Sequence, residues 1–332
     1  MSDIAVLGAG SWGTTLANLL AGKGDRVKIW AFEPEVVEAI NRDRENPLFL
    51  KGIPLAASLS AESDPRAAVA GATVVVSAPP SHAVRSVATL VADAIAPGTL
   101  VISATKGIET DTLSLMSQVF AECVPQARFA ALSGPSFAAE VCQGQPTAVV
   151  AASADADAAL EAQQVFATPS FRVYTGHDVV GVELAGALKN VIAIAAGILE
   201  GLGLGHNPRA AVITRGLAEI SRLGLAMGAD PLTFAGLAGM GDLVLTTTGS
   251  LSRNRALGLA LAGGQTLEAY RASHRTVAEG VNAALAGAAL GARHGVELPI
   301  VHQVCDVLFS GKAPREGVAE LMGRELKPEQ WR

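Results

Sequence analysis

Lys189 stands in an apolar stretch, residues 182–193, and its helical neighbours at i−4, i−3, i+3 and i+4 are Ala185, Gly186, Ile192 and Ala193. A lysine amid small apolar residues either snorkels at an edge or is held in a cleft. We read a cleft, where burial lowers the ammonium pKa toward the range useful for proton transfer. Lys106 follows the apolar run 100–103, at the carboxyl end of an expected strand, where open α/β sheets place ligands. A second lysine close to Lys189 would depress the Lys189 pKa further. The competing reading of Lys106 is a solvated loop residue.

Further segments suit a small anion. Gly134-Pro135-Ser136-Phe137-Ala138 is a strand-end turn leading into a helix. Its amides and the Ser136 hydroxyl would face a ligand, unless it is a plain turn. Ser252 is a good N-cap for a helix over 253–261. A helix start carrying Ser252, Arg253 and Asn254 is a natural phosphate site, or else a capped surface helix with solvated arginines. Asp242, in Gly239-Met240-Gly241-Asp242, either hydrogen-bonds a substrate hydroxyl or holds Lys189, and the sequence does not choose. The histidines show no HxxxH pairing, and Cys123, Cys142 and Cys305 show no CxxC or zinc spacing. Neither a His-based nor a metal-dependent mechanism is expected, and a reducing compartment is.

Gly8-Ala9-Gly10-Ser11-Trp12-Gly13 is G-x-G-x-x-G. Alone it is a weak signal, but here it follows the apolar run 4–7 and opens a helix at the start of a βαβ unit, the context of a dinucleotide-binding turn. The first two glycines let the backbone turn and approach a pyrophosphate. The third lets the helix pack on the strand, and the helix N-terminus faces the anion. Glu33 lies about 20 residues past Gly13, where an acid accepts from the adenosine ribose hydroxyls of NAD and repels the extra phosphate of NADP. Phe32 either stacks on adenine or packs at the surface, and Arg42 and Arg44 are close enough in sequence to reach a 2′-phosphate.

The elements that must position these groups show as apolar runs. Strands over 4–7, 27–30, 74–77, 100–103, 129–132, 147–151 and 171–175 alternate with helices such as 14–22, 82–94 and 155–166. That alternation means a largely parallel sheet with helices on both faces. After Asp178, an expected N-cap, the strand signals stop, and helices are expected over 179–201, 210–227, 253–261, 279–294 and 300–309. The expectation is an α/β N-terminal Rossmann-type domain with a mostly parallel sheet over residues 1–180, and an all-α C-terminal domain over 181–332.

Composition agrees. A chain of 332 residues suits two domains, and 50% hydrophobic with 17% charged residues excludes a disordered chain. A net charge of −6 argues against a nucleic-acid partner and leaves room for a small anion held by local cations. Mean hydropathy is +0.36. Yet 67–84 is broken by Gly71, Pro79 and Pro80, and 182–204 carries Glu183, Lys189 and Glu200, so no membrane span is expected. The start lacks a signal-peptide pattern.

On these motifs the chain resembles the bacterial, soluble NAD(P)-dependent glycerol-3-phosphate dehydrogenases over nearly its whole length. The resemblance is carried, in order, by Gly8 to Gly13, Ala78-Pro79 with Ser81-His82-Ala83-Val84-Arg85, Thr105-Lys106-Gly107, Ser133 to Ala138, Ala187-Leu188-Lys189-Asn190, Gly239 to Asp242 and Ser252-Arg253-Asn254. It implies reversible hydride transfer between C2 of sn-glycerol 3-phosphate and a nicotinamide. The product is dihydroxyacetone phosphate, and the reverse direction supplies glycerol 3-phosphate for glycerophospholipid synthesis. It implies Lys189 as proton acceptor, with Lys106 and Asp242 in the catalytic set. Lys106, Gly134, Ser136, Lys189, Asp242, Ser252, Arg253 and Asn254 would hold substrate. Ser11, Trp12, Lys106, Ala138, Arg253, Val277 and Glu279 would contact the cofactor, and Val277 and Glu279 enter through the resemblance alone. One feature departs: bacterial relatives often carry a basic residue or His near positions 32 and 33, whereas Phe32-Glu33 looks more like the NAD-using eukaryotic relatives. NAD is therefore expected to serve at least as well as NADP. A homodimer is expected from the resemblance and from the Ala-, Leu- and Gly-rich helical half, together with a cytoplasmic location.

Two other readings compete. A related dehydrogenase acting on a hydroxy acid or sugar acid would need a carboxylate clamp, and Ser252-Arg253-Asn254 fits phosphate better. A nicotinamide-sensing binding protein would bind without turnover, and Lys106, Lys189 and Asp242 kept together argue against it.

Overall fold

The computed structural model describes residues 2–274 and 278–329. Its first half alternates strands and helices. In chain order these are β1 (Asp3–Leu7), α1 (Ser11–Gly22), β2 (Arg26–Trp30), α2 (Pro34–Asp43), β3 (Leu59–Glu62), α3 (Pro65–Val69), β4 (Val74–Ser77) and α4 (Val84–Val91). There follow β5 (Leu100–Ser103), α5 (Met116–Cys123), β6 (Arg128–Ser133), α6 (Ala138–Cys142), β7 (Thr147–Ala152), α7 (Ala156–Phe166) and β8 (Phe171–Gly176). The eight strands form one sheet in the order β3-β2-β1-β4-β5-β6-β7-β8. Neighbours run parallel except β6 and β7, which are antiparallel.

The central strands β4 and β5 are buried along their whole length, as continuous apolar runs covered on both faces must be. On one face Leu16 and Leu20 of α1, Ile40 of α2 and Phe166 of α7 pack on Val6, Val76 and Ile102. On the other, Val84 of α4 and Val119 and Phe120 of α5 pack on Leu7, Val75 and Val101. The strand order reverses between β1 and β4, so the carboxyl ends of these strands open a crevice there. Leu59-Ser60-Ala61-Glu62, which sequence patterning passed over, is the edge strand β3. Its alternating burial is that of a half-covered strand. The first helix starts at Ser11, earlier than the expected position 14.

The second half is helical throughout the described residues: α8 (Val179–Gly201), α9 (His206–Ala226), α10 (Pro231–Ala235), α11 (Asp242–Thr248), α12 (Arg253–Ala262), α13 (Leu267–Ser273), α14 (Gly280–His294), α15 (Pro299–Phe309) and α16 (Pro314–Met322). A single π-helical turn, Leu237–Gly241, leads into α11. Asp178 caps α8, accepting from Gly181 N at 2.8 Å, and also accepts from Asp230 N and Thr233 Oγ1. By length and composition α8 would cross a membrane, but its apolar window is 89% buried inside the protein. It is the axis on which the other helices pack. A Cβ on Gly197 would stand 2.1 Å from Arg255 O, and one on Gly258 would stand 2.1 Å from Ile194 O. α12 therefore crosses α8 backbone to backbone, at a separation no larger residue permits.

Candidate active site

At the β1–α1 turn Gly8 has φ +100°, and a Cβ there would meet Pro79 N at 2.9 Å. A Cβ on Gly13 would stand 1.9 Å from Gly8 O, whereas one on Gly10 would meet nothing within 4 Å. The turn is thus closed on its inner side and open at Gly10. Ser11 begins α1, which has no side-chain cap and no acid in its first turn, so nothing on the helix itself opposes an anion at its first amides. Those features fit a dinucleotide pyrophosphate. Asn46, buried, braces the turn by donating to Ala9 O and Thr14 Oγ1, both at 2.8 Å; sequence reasoning missed it, because it is 37 residues from Ala9. Trp12, the second residue of α1, packs on the core from that helix. Ala138 opens α6, with its carbonyl 3.5 Å from Thr15 Oγ1 of α1.

Phe32 is 80% exposed. Glu33 occupies the N-cap position of α2 without a side-chain cap bond. Neither Arg42 nor Arg44 is free. Arg42 pairs with Glu38 and Asp43 at 2.5 and 2.8 Å, and Arg44 donates to Leu59 O at 2.6 Å.

Lys189, 7% exposed, donates to Asp242 Oδ1 at 2.7 Å and to Thr246 Oγ1 at 2.6 Å. Lys106 donates to Asp242 Oδ2 at 2.7 Å and to Gly134 O at 3.0 Å. One carboxylate, 1% exposed, thus bridges two ammonium groups from opposite halves of the chain. Asp242 is thus in contact with Lys189, and Lys106 is drawn out of solvent onto the same carboxylate. Burial drives the Lys189 pKa down to about 8, against the pull of Asp242 and with help from the Lys106 charge. Burial pushes Asp242 up, but the two lysines outweigh it and hold the carboxyl below its ordinary range. Gly186 makes room for this meeting: a Cβ there would stand 2.9 Å from Ser133 Oγ and 3.6 Å from Lys106 Cγ. Gly134 has φ +142°, and its carbonyl also accepts from Ser136 Oγ at 3.0 Å. Thr246, one helical turn beyond Asp242, escaped sequence reasoning; its i+4 spacing from Asp242 was the available signal.

Ser252 caps α12 by accepting from Arg255 N at 3.2 Å. Arg253 is exposed at the same helix start. Asn254 is buried, donating to Asn190 Oδ1 and accepting from Gly280 N, both at 2.9 Å. The residue beside Lys189 is therefore bonded to the α12 start, which fixes that helix start relative to the lysine. Arg255 is drawn away to Glu200. Glu279 accepts from Ser81 Oγ at 2.9 Å, and burial raises its pKa. Val277 lies outside the described residues. No group of three metal-ligating side chains occurs among the described residues. A cavity of about 540 Å³ lies between α8, α9, α15 and α16, and its lining contains none of Lys106, Lys189 or Asp242.

Residues 3–159 match the family model described as NAD-dependent glycerol-3-phosphate dehydrogenase N-terminus, and 178–319 match that of the C-terminus. The chain is similar to the glycerol-3-phosphate dehydrogenase [NAD(P)+] of Geobacter metallireducens, at 57% identity over 98% of both chains. It is similar to that of Geobacter sulfurreducens at 56% identity over 99% of both. Among solved structures, glycerol-3-phosphate dehydrogenase from Coxiella burnetii superposes with a TM-score of 0.94 at 39% identity, covering 97% of this chain and 99% of that one.

Proposed function

The chain belongs to the NAD-dependent glycerol-3-phosphate dehydrogenase family, and from that premise we propose how its site residues share the work. The protein is an NAD(P)-dependent oxidoreductase that interconverts sn-glycerol 3-phosphate and dihydroxyacetone phosphate. The observation that carries the proposal is the carboxylate of Asp242 shared at 2.7 Å by Lys106 and Lys189.

When bound, the nicotinamide accepts or donates hydride at C2. Lys189, neutral, accepts the C2 hydroxyl proton in oxidation, and its ammonium returns that proton in reduction. A pKa of about 8 makes both forms available near neutrality. Lys106 keeps positive charge near the carbonyl oxygen and stabilises the developing alkoxide. Asp242 orients both lysines. Proton transfer from a positioned group of this kind contributes roughly 10²–10⁴-fold. Ser252, Arg253 and Asn254 at the start of α12 hold the substrate phosphate, with Gly134 and Ser136 meeting the substrate beside Lys106. The Gly8, Gly10 and Gly13 turn with Ser11 and Trp12 holds the pyrophosphate, and Ala138 and Glu279 contact the same cofactor. Lys189→Ala is expected to retain NADH binding, read by fluorescence titration, and to lose turnover, read by nicotinamide absorbance. Near-normal turnover would refute the assignment.

NAD is the preferred cofactor in this reading. Glu33 carries negative charge where the adenosine ribose would lie, and the nearby Arg42 and Arg44 are committed to other partners. A kcat/KM for NADPH equal to or above that for NADH would sink this preference. We also read the chain as a cytoplasmic homodimer divided into domains at 180/181. The small-residue helical half supports the dimer, and a monomer mass in sedimentation at assay concentration would count against it.

A further inference from the structure

Glu183 takes no part in the chemistry above, yet it is a buried carboxylate between the two halves of the molecule. It lies on α8, six residues before Lys189, about 9 Å along the helix axis at roughly 1.5 Å per residue. Its Oε1 accepts from Ser117 N at 2.9 Å, and its Oε2 accepts from Ser117 Oγ at 2.5 Å. Ser117 is the second residue of α5, where backbone amides lack partners within the helix.

The segment just before α5 carries Lys106. It leaves β5 at Ser103, passes Lys106, and folds back through an antiparallel bridge between Ile108 and Leu115. Glu109 and Ser114 close it further, with Glu109 N donating to Ser114 O at 3.0 Å. Leu115 N then donates to Gln118 Oε1 at 2.8 Å, which ties the end of the loop to the first turn of α5. The Lys106 loop and the start of α5 therefore form one braced unit. Glu183 fastens that unit to α8, and Gly186, one turn further along α8, lies against the Lys106 stem.

Resting on the reading of Lys106 and Lys189 given above, we infer that Glu183 is a positioning residue. By capping α5 from α8 it fixes the Lys106 loop relative to the Lys189 helix, so that both ammonium groups meet one carboxylate. Two sites contributed by different segments need such a fastening, because a displacement of about 1 Å costs on the order of a hundredfold in rate. What Glu183 supplies is hydrogen-bond geometry rather than charge. It makes no ion pair among the described residues, and burial pushes its carboxyl up to about 7 despite both Ser117 bonds.

The test compares Glu183→Ala, Glu183→Gln and Ser117→Ala in the full-length enzyme, with Lys189→Ala alongside. Steady-state reduction of dihydroxyacetone phosphate is followed across pH. Glu183→Ala is expected to lower kcat about ten- to a hundredfold with the KM for NADH changing less, since Lys106 is one cofactor contact among several and the Gly8–Gly13 turn is not touched. The pKa in its kcat profile is expected to rise, because Lys189 loses the nearby Lys106 charge and gains water. Glu183→Gln, which can still accept from Ser117 N, restores both. Ser117→Ala keeps one of the two bonds and gives an intermediate shift in the same direction; if Glu183→Ala does not fold, this variant decides. The inference is overturned by wild-type kcat and pKa in Glu183→Ala or Ser117→Ala, by a kcat loss with an unmoved pKa, or by Glu183→Gln as impaired as Glu183→Ala. Near-normal turnover of Lys189→Ala overturns the proton-transfer reading along with it. Wild-type behaviour of Glu183→Ala beside an inactive Lys189→Ala overturns the positioning role alone.

Discussion

Replacing Asp242 by asparagine keeps its shape and removes the charge that Lys106 and Lys189 share. Each lysine nitrogen stands 2.7 Å from an Asp242 oxygen. At an effective dielectric of about 20, one such pair is worth about 6 kcal/mol. Half of that, about 3 kcal/mol, lowers an ammonium pKa by about two. Lys189 already sits near 8 through burial, so Asp242→Asn takes it well below neutrality. Reduction needs the ammonium, and its rate at pH 7 should fall by at least about tenfold, with the descending limb of the pH profile displaced to acid. Oxidation needs the neutral amine, so its rising limb should move to acid as well. Both directions can be followed by nicotinamide absorbance from pH 5.5 to 9.5. Unchanged limbs in a folded variant would refute the claim that this carboxylate sets the protonation of Lys189.

In the unaltered enzyme, a folded pKa near 8 for Lys189 means that kcat/KM for glycerol 3-phosphate oxidation rises, and that for reduction falls, as pH climbs through about 8; matched pH profiles in the two directions check it. Arg253→Ala removes an exposed guanidinium at the α12 start and should raise the KM for dihydroxyacetone phosphate about tenfold, with the KM for NADH moving less. An unchanged KM for dihydroxyacetone phosphate would count against the phosphate site. Gly13→Ala places a Cβ 1.9 Å from Gly8 O, and the forced parting of α1 from β1 should cost about 1–3 kcal/mol or more of stability and abolish NADH binding. Thermal unfolding and fluorescence titration read the two effects.

The strands and the long helices were legible because burial writes itself into local pattern. Val74-Val75-Val76 and the run 100–103 admit no polar face, and 179–201 could only be a buried or membrane helix. The glycine turn was legible because its spacing and its place between a strand and a helix are local, although only Gly13 answers a neighbour within the turn, Gly8 O at 1.9 Å from its would-be Cβ, while Gly8 is closed by the distant Pro79. Lys189 and Lys106 were legible singly, as cations in apolar or strand-end settings. β3 was not, since an edge strand of Leu59-Ser60-Ala61-Glu62 has one dry face and too short a run to declare it.

Nothing local marks which distant groups will meet. Asp242 lies 136 residues from Lys106 and 53 from Lys189, and only the folded chain brings both to its two oxygens. Asn46 at the nucleotide turn, Asn190 on Asn254 and Glu183 on Ser117 are of the same kind. The sequence by itself determined the strands other than β3, the long helices, the nucleotide turn and the residue types available for chemistry, because those depend on neighbours along the chain. The tertiary structure decided the pairing of Asp242 with both lysines, the depressed pKa of Lys189 and the bond of Arg44 to Leu59 O. Hydrogen bonds, ion pairs and desolvation act through space, and a pattern of neighbours does not contain those distances.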